Sequence, residues 1–181
     1  MSRLTIYADT DAARPLETLE APAAIATALQ AIGVHFRRLA AAAPLSADAS
    51  EAEVLAAYRA AVDEERAAHG YQSVDVVRMT PESPNVEQAR SKFLAEHTHT
   101  ENEARIMALG SGCFYLRAAH RVHQVECTAG DLISVPEGTR HWFDMGPRPS
   151  FVAIRFFIRA DGWVGHFTGD DIASRYPSYE P

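Results

Sequence analysis

The sequence predicts a mainly β protein with α additions: an antiparallel β-barrel or sandwich in its second half, joined to an α+β segment in its first. Three observations carry this expectation. From about residue 95 the chain falls into short apolar or alternating runs, ARIMAL, CFYLR, HQVEC, DLISV, HWFDM and SFVAIRFFI, separated by Gly, Pro and Asp, which is the texture of strands and tight turns. Before that point, apolar residues recur at helical spacing in three stretches, as on amphipathic helices with one buried face. The 181 residues, 47% of them hydrophobic, suffice for one compact core without disulfides.

In chain order, residues 4–7 (LTIY) form a short strand. Residues 22–32 place Ile25, Leu29 and Ile32 on one helical face before Gly33, a natural stop. A second helix runs from Ser50, which has capping-box spacing to Glu53, through Val54, Leu55, Tyr58 and Val62 to Gly70. After the β-branched run SVDVV, Pro84 opens a third helix that turns Val86, Ala89 and Phe93 inward. In the last apolar run, Ile154, Phe156 and Ile158 share one face of a strand while Phe151, Ala153 and Arg155 share the other. No repeat or flexible linker interrupts the chain, so residues 1–181 are expected to form one domain. Its parts are an N-terminal α+β segment (1–94), a core (95–160) and a C-terminal segment (161–181).

Charge narrows the partners. With 24 acidic against 17 basic residues, a net charge of −7 and no Lys/Arg run, the chain has no electrostatic basis for holding nucleic acid or an anionic membrane. A small substrate or another protein is the expected partner, and the opening MSRLTIYADTD has neither the basic nor the apolar part of a secretory signal, so a cytoplasmic location is expected; a monomer is expected as well. Cys113 and Cys127 fall on neighbouring strands, but a reducing compartment disfavours a disulfide and small buried hydrophobes are the expectation.

The chemistry concentrates in EHTHTENE. His97 and His99 are two apart, so on an extended strand both imidazoles point to the same side. Glu103 comes four residues after His99, within reach of the same point across a turn, and His141 arrives from a separate hairpin. Three imidazoles and a carboxylate, with no thiolate, suit a divalent ion such as Fe(II), Ni(II), Co(II) or Mn(II). An octahedral ion so held keeps two positions for a substrate with two adjacent oxygens. With three neutral imidazoles and one carboxylate the centre retains one net positive charge, which attracts an anionic enediolate and lowers the pKa of bound oxygens.

HxH alone recurs by chance, but the spacing continues. Gly110 completes HxHx3Ex6G, and GDLISVPEGTRH, from Gly130 to His141, reads Gx5PxGx2H. These are the two signatures of the metal-binding cupins, which the chain resembles. Gly130 and Gly138 supply positive φ for tight turns and Pro136 fixes the corner before the His141 strand. Ser91 and Met145 depart from the commonest ends of the two signatures, and neither is a candidate ligand.

Along its whole length the chain further resembles the acireductone dioxygenases of bacterial methionine salvage. GYQSVDVV, FLAEHTHTENEAR, GDLISVPEGTRHWFDMG and GWVGHFTGDDIASRYP carry that likeness. The resemblance implies a cupin barrel that binds one Fe(II) or Ni(II) through His97, His99, Glu103 and His141. It also implies cleavage of 1,2-dihydroxy-3-keto-5-methylthiopentene by dioxygen. Arg105 matches the family's substrate-contacting arginine. Phe93, Phe143 and Trp163 match aromatic positions lining its pocket, and Glu96 matches a carboxylate associated with metal loading. Where relatives often read EDEVRFF this chain reads ENEARIM, so Asn102 replaces an Asp beside Glu103, a position tied to coupling between ligand and backbone. Ala104, Ile106 and Leu109 are further departures, with substrate shape the expected casualty.

Two rivals remain on sequence grounds: another metal cupin oxygenase or isomerase, and a cupin that binds metal and ligand without turnover. His35, His69, His120, His123 and His166 lack linked ligand spacing, and Ser134 and Ser174 lack a nucleophile elbow. Asp170 and Asp171 are expected to cap a C-terminal turn or short helix.

Overall fold

The computed structural model describes residues 1–159 and 164–181. Among these, β1 (Arg3–Ala8), β2 (Asp11–Leu19), α1 (Pro22–Gln30), β3 (His35–Arg38), α2 (Glu51–Ala57), α3 (Arg59–His69), β4 (Ser73–Met79) and α4 (Val86–Phe93) make up the first half. The second half comprises β5 (His97–Thr98), β6 (Glu103–Ala118), β7 (Arg121–Thr128), β8 (Asp131–Val135), β9 (Arg140–Asp144), β10 (Phe151–Phe157), β11 (His166–Phe167) and a closing 3-10 turn (Ile172–Arg175).

The strands form two antiparallel sheets that share one member. The first runs β11-β5-β9-β6-β7-β1-β2; in the second, β10 and β8 flank β6, with β4 beyond β10 and β3 beyond β8. ARIMAL and CFYLR, separate runs in the sequence, are thus halves of a single strand. Residues Glu103–Ile106 of β6 pair with β8, and Ser111–Ala118 pair with β7. The passage from one sheet to the other falls at Gly110, whose φ is +70° and where a Cβ would lie 1.8 Å from the Ser150 carbonyl oxygen. Only glycine fits there, which is the physical content of the signature glycine.

Alternation along the strands sorts side chains into three apolar layers. Between the sheets lie Leu4, Ile6, Met107, Phe114, Leu116, Val125, Ile133, Phe143, Phe151 and Ala153, closed at one end by Ile25 and Leu29 of α1. The outer face of the second sheet, with Ala104, Ile106, Leu132, Val152, Ile154 and Phe156, is covered by Val54, Ala57, Tyr58 and Val62 of α2 and α3. The C-terminal segment lays Ile172, Tyr176 and Tyr179 over Tyr7, Cys113, Tyr115 and Trp142 on the other outer face. Cys113 and Cys127 fall in different layers, so adjacent strands turn the two buried thiols apart.

Several details correct the sequence expectation. The helix expected from Ser50 to Gly70 is two helices, broken at Tyr58 with φ −114° and ψ 14°. The Ala57 carbonyl accepts from the Ala42 N–H at 2.8 Å, and the Tyr58 side chain is buried. The third helix begins at Val86, after a left-handed Asn85 and a turn in which the Ser83 N–H bonds the Thr80 carbonyl, so Pro84 precedes the helix and does not open it. Its Ala89 and Phe93 pack on the inner layer but are only partly buried. The strands β2 and β3 have no counterpart among the sequence expectations.

At the start of α2 the capping box is complete: the Glu53 N–H donates to Ser50 Oγ at 3.3 Å and the Ser50 N–H donates to Glu53 Oε2 at 2.7 Å. Removing one such cap by Ser50→Ala is expected to lower Tm by about 2–4 °C in a chain of this size, as scanning calorimetry would show.

Candidate metal centre

Two strands and the loop that follows the first of them bring the imidazoles together. His97 on β5 pairs directly with His141 on β9, so the two rings stand side by side with centroids 4.5 Å apart. His99 lies 5.0 Å from His97 and 5.2 Å from His141 by the same measure. One ring nitrogen of each falls within 4.8 Å of the others, and all three residues are buried. Glu103, the first residue of β6, directs Oε2 to 2.8 Å from His141 Nε2 and 3.4 Å from His99 Nε2.

The second nitrogen of each ring settles its orientation. His97 Nδ1 is 2.7 Å from the Ala95 carbonyl oxygen, His141 Nδ1 2.8 Å from that of Thr139, and His99 Nδ1 3.1 Å from that of Val164. A backbone carbonyl can only accept, so Nδ1 carries the proton in each ring and the Nε2 lone pair is left to face the common centre. This donor set fits a divalent ion of borderline hardness.

Electrostatics supports the same arrangement. Burial, and then the neighbouring His141, push His97 down to about 4, so its ring is neutral at pH 7 and open to a cation. Burial would raise the Glu103 carboxyl, but the Arg105 charge and the His141 and His99 rings beside it outweigh that effect and hold the group well below the ordinary range. His99 is also pushed down by burial, yet the adjacent Glu103 carboxylate leaves it above its usual value.

Arg105 lies two residues along the same face of β6 and is buried, not a surface cation. Its Nη2 donates to Glu103 Oε1 at 2.8 Å. The guanidinium carbon sits 4.6 Å from the Phe143 ring centroid and 5.1 Å from that of Phe114, so two aromatic faces hold the fork in an otherwise apolar interior. Phe143 therefore lies at the site, and Phe93 packs into the same inner layer. Trp163 falls outside the described residues.

Asn102 has a structural partner: its Oδ1 accepts from the Glu137 N–H at 3.0 Å. Together with the Gly138 N–H bonded to the His99 carbonyl at 3.0 Å, it ties the loop before Glu103 to the turn before His141. Glu96 is buried with its carboxylate turned to Thr168 Oγ1 at 2.7 Å and Arg117 Nη1 at 3.3 Å. Ala104, Ile106 and Leu109 face the helices, away from Arg105, so these departures concern packing under α2 and α3. Asp170 Oδ1 accepts from the Ile172 N–H at 3.0 Å at the start of the 3-10 turn. Phe114 and the Val164 carbonyl go unrecognised in the sequence; the first is one inward aromatic among several, and the second belongs to the backbone and leaves no residue signature.

Two antiparallel sheets sharing a strand, with three convergent imidazoles in the interior, define a metal-binding cupin. A family model described as the ARD/ARD' family matches residues 3–165. The acireductone dioxygenase of Stenotrophomonas maltophilia (strain K279a) is 54% identical over 181 residues, covering 100% of this chain and 98% of its own. This chain belongs to the acireductone dioxygenase family. The enzyme of that name from Parvibaculum lavamentivorans is 53% identical, covering 99% of this chain and 98% of its own. A solved acireductone dioxygenase from Bacillus anthracis with a cadmium ion in its active centre superposes with a TM-score of 0.81 at 29% identity, covering 92% of this chain and 98% of that one.

Proposed function

We propose that this chain binds one Fe(II) or Ni(II) through His97, His99, Glu103 and His141 and cleaves 1,2-dihydroxy-3-keto-5-methylthiopentene with dioxygen. The Fe(II) form yields 4-methylthio-2-oxobutanoate and formate, and the Ni(II) form 3-methylthiopropionate, formate and carbon monoxide. The observation that carries this reading is the buried Glu103–Arg105 pair set against three imidazoles whose outer nitrogens are all committed to carbonyls. A bound divalent ion supplies Lewis acidity toward the substrate's oxygens.

The protein's own groups do the rest. The Arg105 guanidinium, held between Phe114 and Phe143, offers N–H donors and positive charge to an enediolate in a place where water is scarce. Phe93 and Phe143 provide the apolar surface for the methylthio tail and exclude water from the reacting carbons. In this reading residues 1–181 act as one domain, a monomer in the cytoplasm with a diffusible small-molecule substrate. Among the described residues no helix is long and apolar enough to cross a membrane.

The test is an anaerobic mixture of the acireductone with Fe(II)-loaded or Ni(II)-loaded protein, to which oxygen is then admitted. Products are identified by mass spectrometry with carbon monoxide detection. Oxygen-dependent loss of substrate with different products from the two metals is expected. Tight binding with no oxygen uptake by either form would replace this reading with a cupin that binds without turnover.

A further inference from the structure

The three imidazoles differ in how their outer nitrogens are held. For His97 and His141 the accepting carbonyl lies two residues away, on Ala95 and Thr139, so local chain geometry supplies it. For His99 the acceptor is the carbonyl of Val164, 65 residues further along the chain. The orientation of His99 therefore depends on how the segment after residue 163 docks.

Close to Val164 that docking has few intrinsic resources. β11 is two residues long, pairs among the described residues with β5 alone, through His166 with Thr98 and Phe167 with His97, and is exposed. Two residues of ladder on a sheet edge hold a segment weakly. The residues just beyond β11 are better fastened. The Thr168 N–H donates to the Glu96 carbonyl at 3.0 Å and Thr168 Oγ1 to Glu96 Oε2 at 2.7 Å. Arg117 Nη1 then bridges Glu96 Oε1 at 3.3 Å and Asp170 Oδ2 at 2.8 Å. Glu96 immediately precedes His97, so the clasp grips the ligand-bearing chain on one side and the C-terminal segment on the other.

We infer that Arg117 and Asp170 are positioning residues for the metal centre: by clasping the C-terminal segment to Glu96 they hold the Val164 carbonyl on His99 Nδ1. Neither touches the centre. The inference rests on the metal-binding part of the proposed function and is independent of the substrate. Loss of an outer partner of a metal-bound histidine weakens affinity by about 10–100-fold, and this clasp acts one step further out.

The test is titration of the metal-free full chain with Co(II), reading affinity by competition with a chelator and ligation by the visible Co(II) absorption bands. Asp170→Ala and Arg117→Ala are each expected to weaken binding by about tenfold and to alter the bands. Their double variant should lose no more than either alone, because the two act as one unit. Asp170→Glu should recover much of the affinity. Ser50→Ala, destabilised at a helix cap far from the ligands, should bind with wild-type affinity and spectrum, which separates positioning from general loss of stability. Asp170→Asn, which keeps an acceptor for the Ile172 N–H, serves if the alanine variant does not fold. Wild-type affinity and bands in folded Asp170→Ala or Asp170→Asn would overturn the inference. A wild-type protein that binds Co(II) tightly yet consumes no oxygen with acireductone would overturn the reaction and leave the clasp standing.

Discussion

His141→Ala is expected to abolish stoichiometric metal binding and oxygen consumption together. The ring contributes one of three converging Nε2 atoms, and it also lies 2.8 Å from Glu103 Oε2. Its removal leaves His97 and His99 on a single chain segment, with no donor from β9 to close the group. The loss of affinity should exceed the about 10–100-fold caused by removing a mere outer partner. Metal content by mass spectrometry and an oxygen electrode check both halves. His35→Ala, on β3 and outside the imidazole group, should keep both properties. A His141→Ala protein that retains one tightly held ion and full turnover would remove this residue from the ligand set.

Arg105→Ala is expected to separate the two properties: metal is retained and turnover falls by about 10²–10³, the usual cost of losing a charged group that stabilises developing negative charge. The metal-free variant should also lose about 3–5 kcal/mol of stability, because the buried Glu103 carboxylate is left without its cation. Urea denaturation with and without metal measures that cost, and steady-state oxygen uptake measures the first effect. Arg105→Lys should restore only part of either, since an ammonium lacks the planar fork that Phe114 and Phe143 enclose. Unchanged turnover in Arg105→Ala would confine this residue to folding.

Much of this is legible in the residues because period two and fixed turn chemistry leave marks. His97, His99, Glu103 and His141 can be found from spacing, and Gly110, Gly130 and Gly138 do adopt positive φ. The elements that escape have no such mark. Most of β2 is exposed and contains Pro15, so no apolar alternation announces an edge strand, and β3 is four residues, HFRR, with only Phe36 buried. Beside the break at Tyr58 the Ala57 carbonyl takes a backbone bond from Ala42, and His99 is fixed by a backbone carbonyl at Val164. Contacts made by main-chain atoms across long separations are blind to residue type. In sequence Asn102 reads as a loss beside the metal, yet its amide oxygen accepts the same kind of backbone N–H that a carboxylate would.

The shared strand has a bearing on how this protein can change. Along the first half of β6, Glu103 and Arg105 look into the barrel while Ala104 and Ile106 look out at the helices. Substitution on the outward row edits the helix seat and leaves the inward row alone. A change of length is another matter. Deleting one residue between Arg105 and Gly110 would rotate the whole row by half a period, delivering methyl groups to the centre and a carboxylate and guanidinium to an oily seam. It would also pull the one residue able to turn the corner away from Ser150. Drift in spelling is therefore open to this strand, and drift in frame is closed.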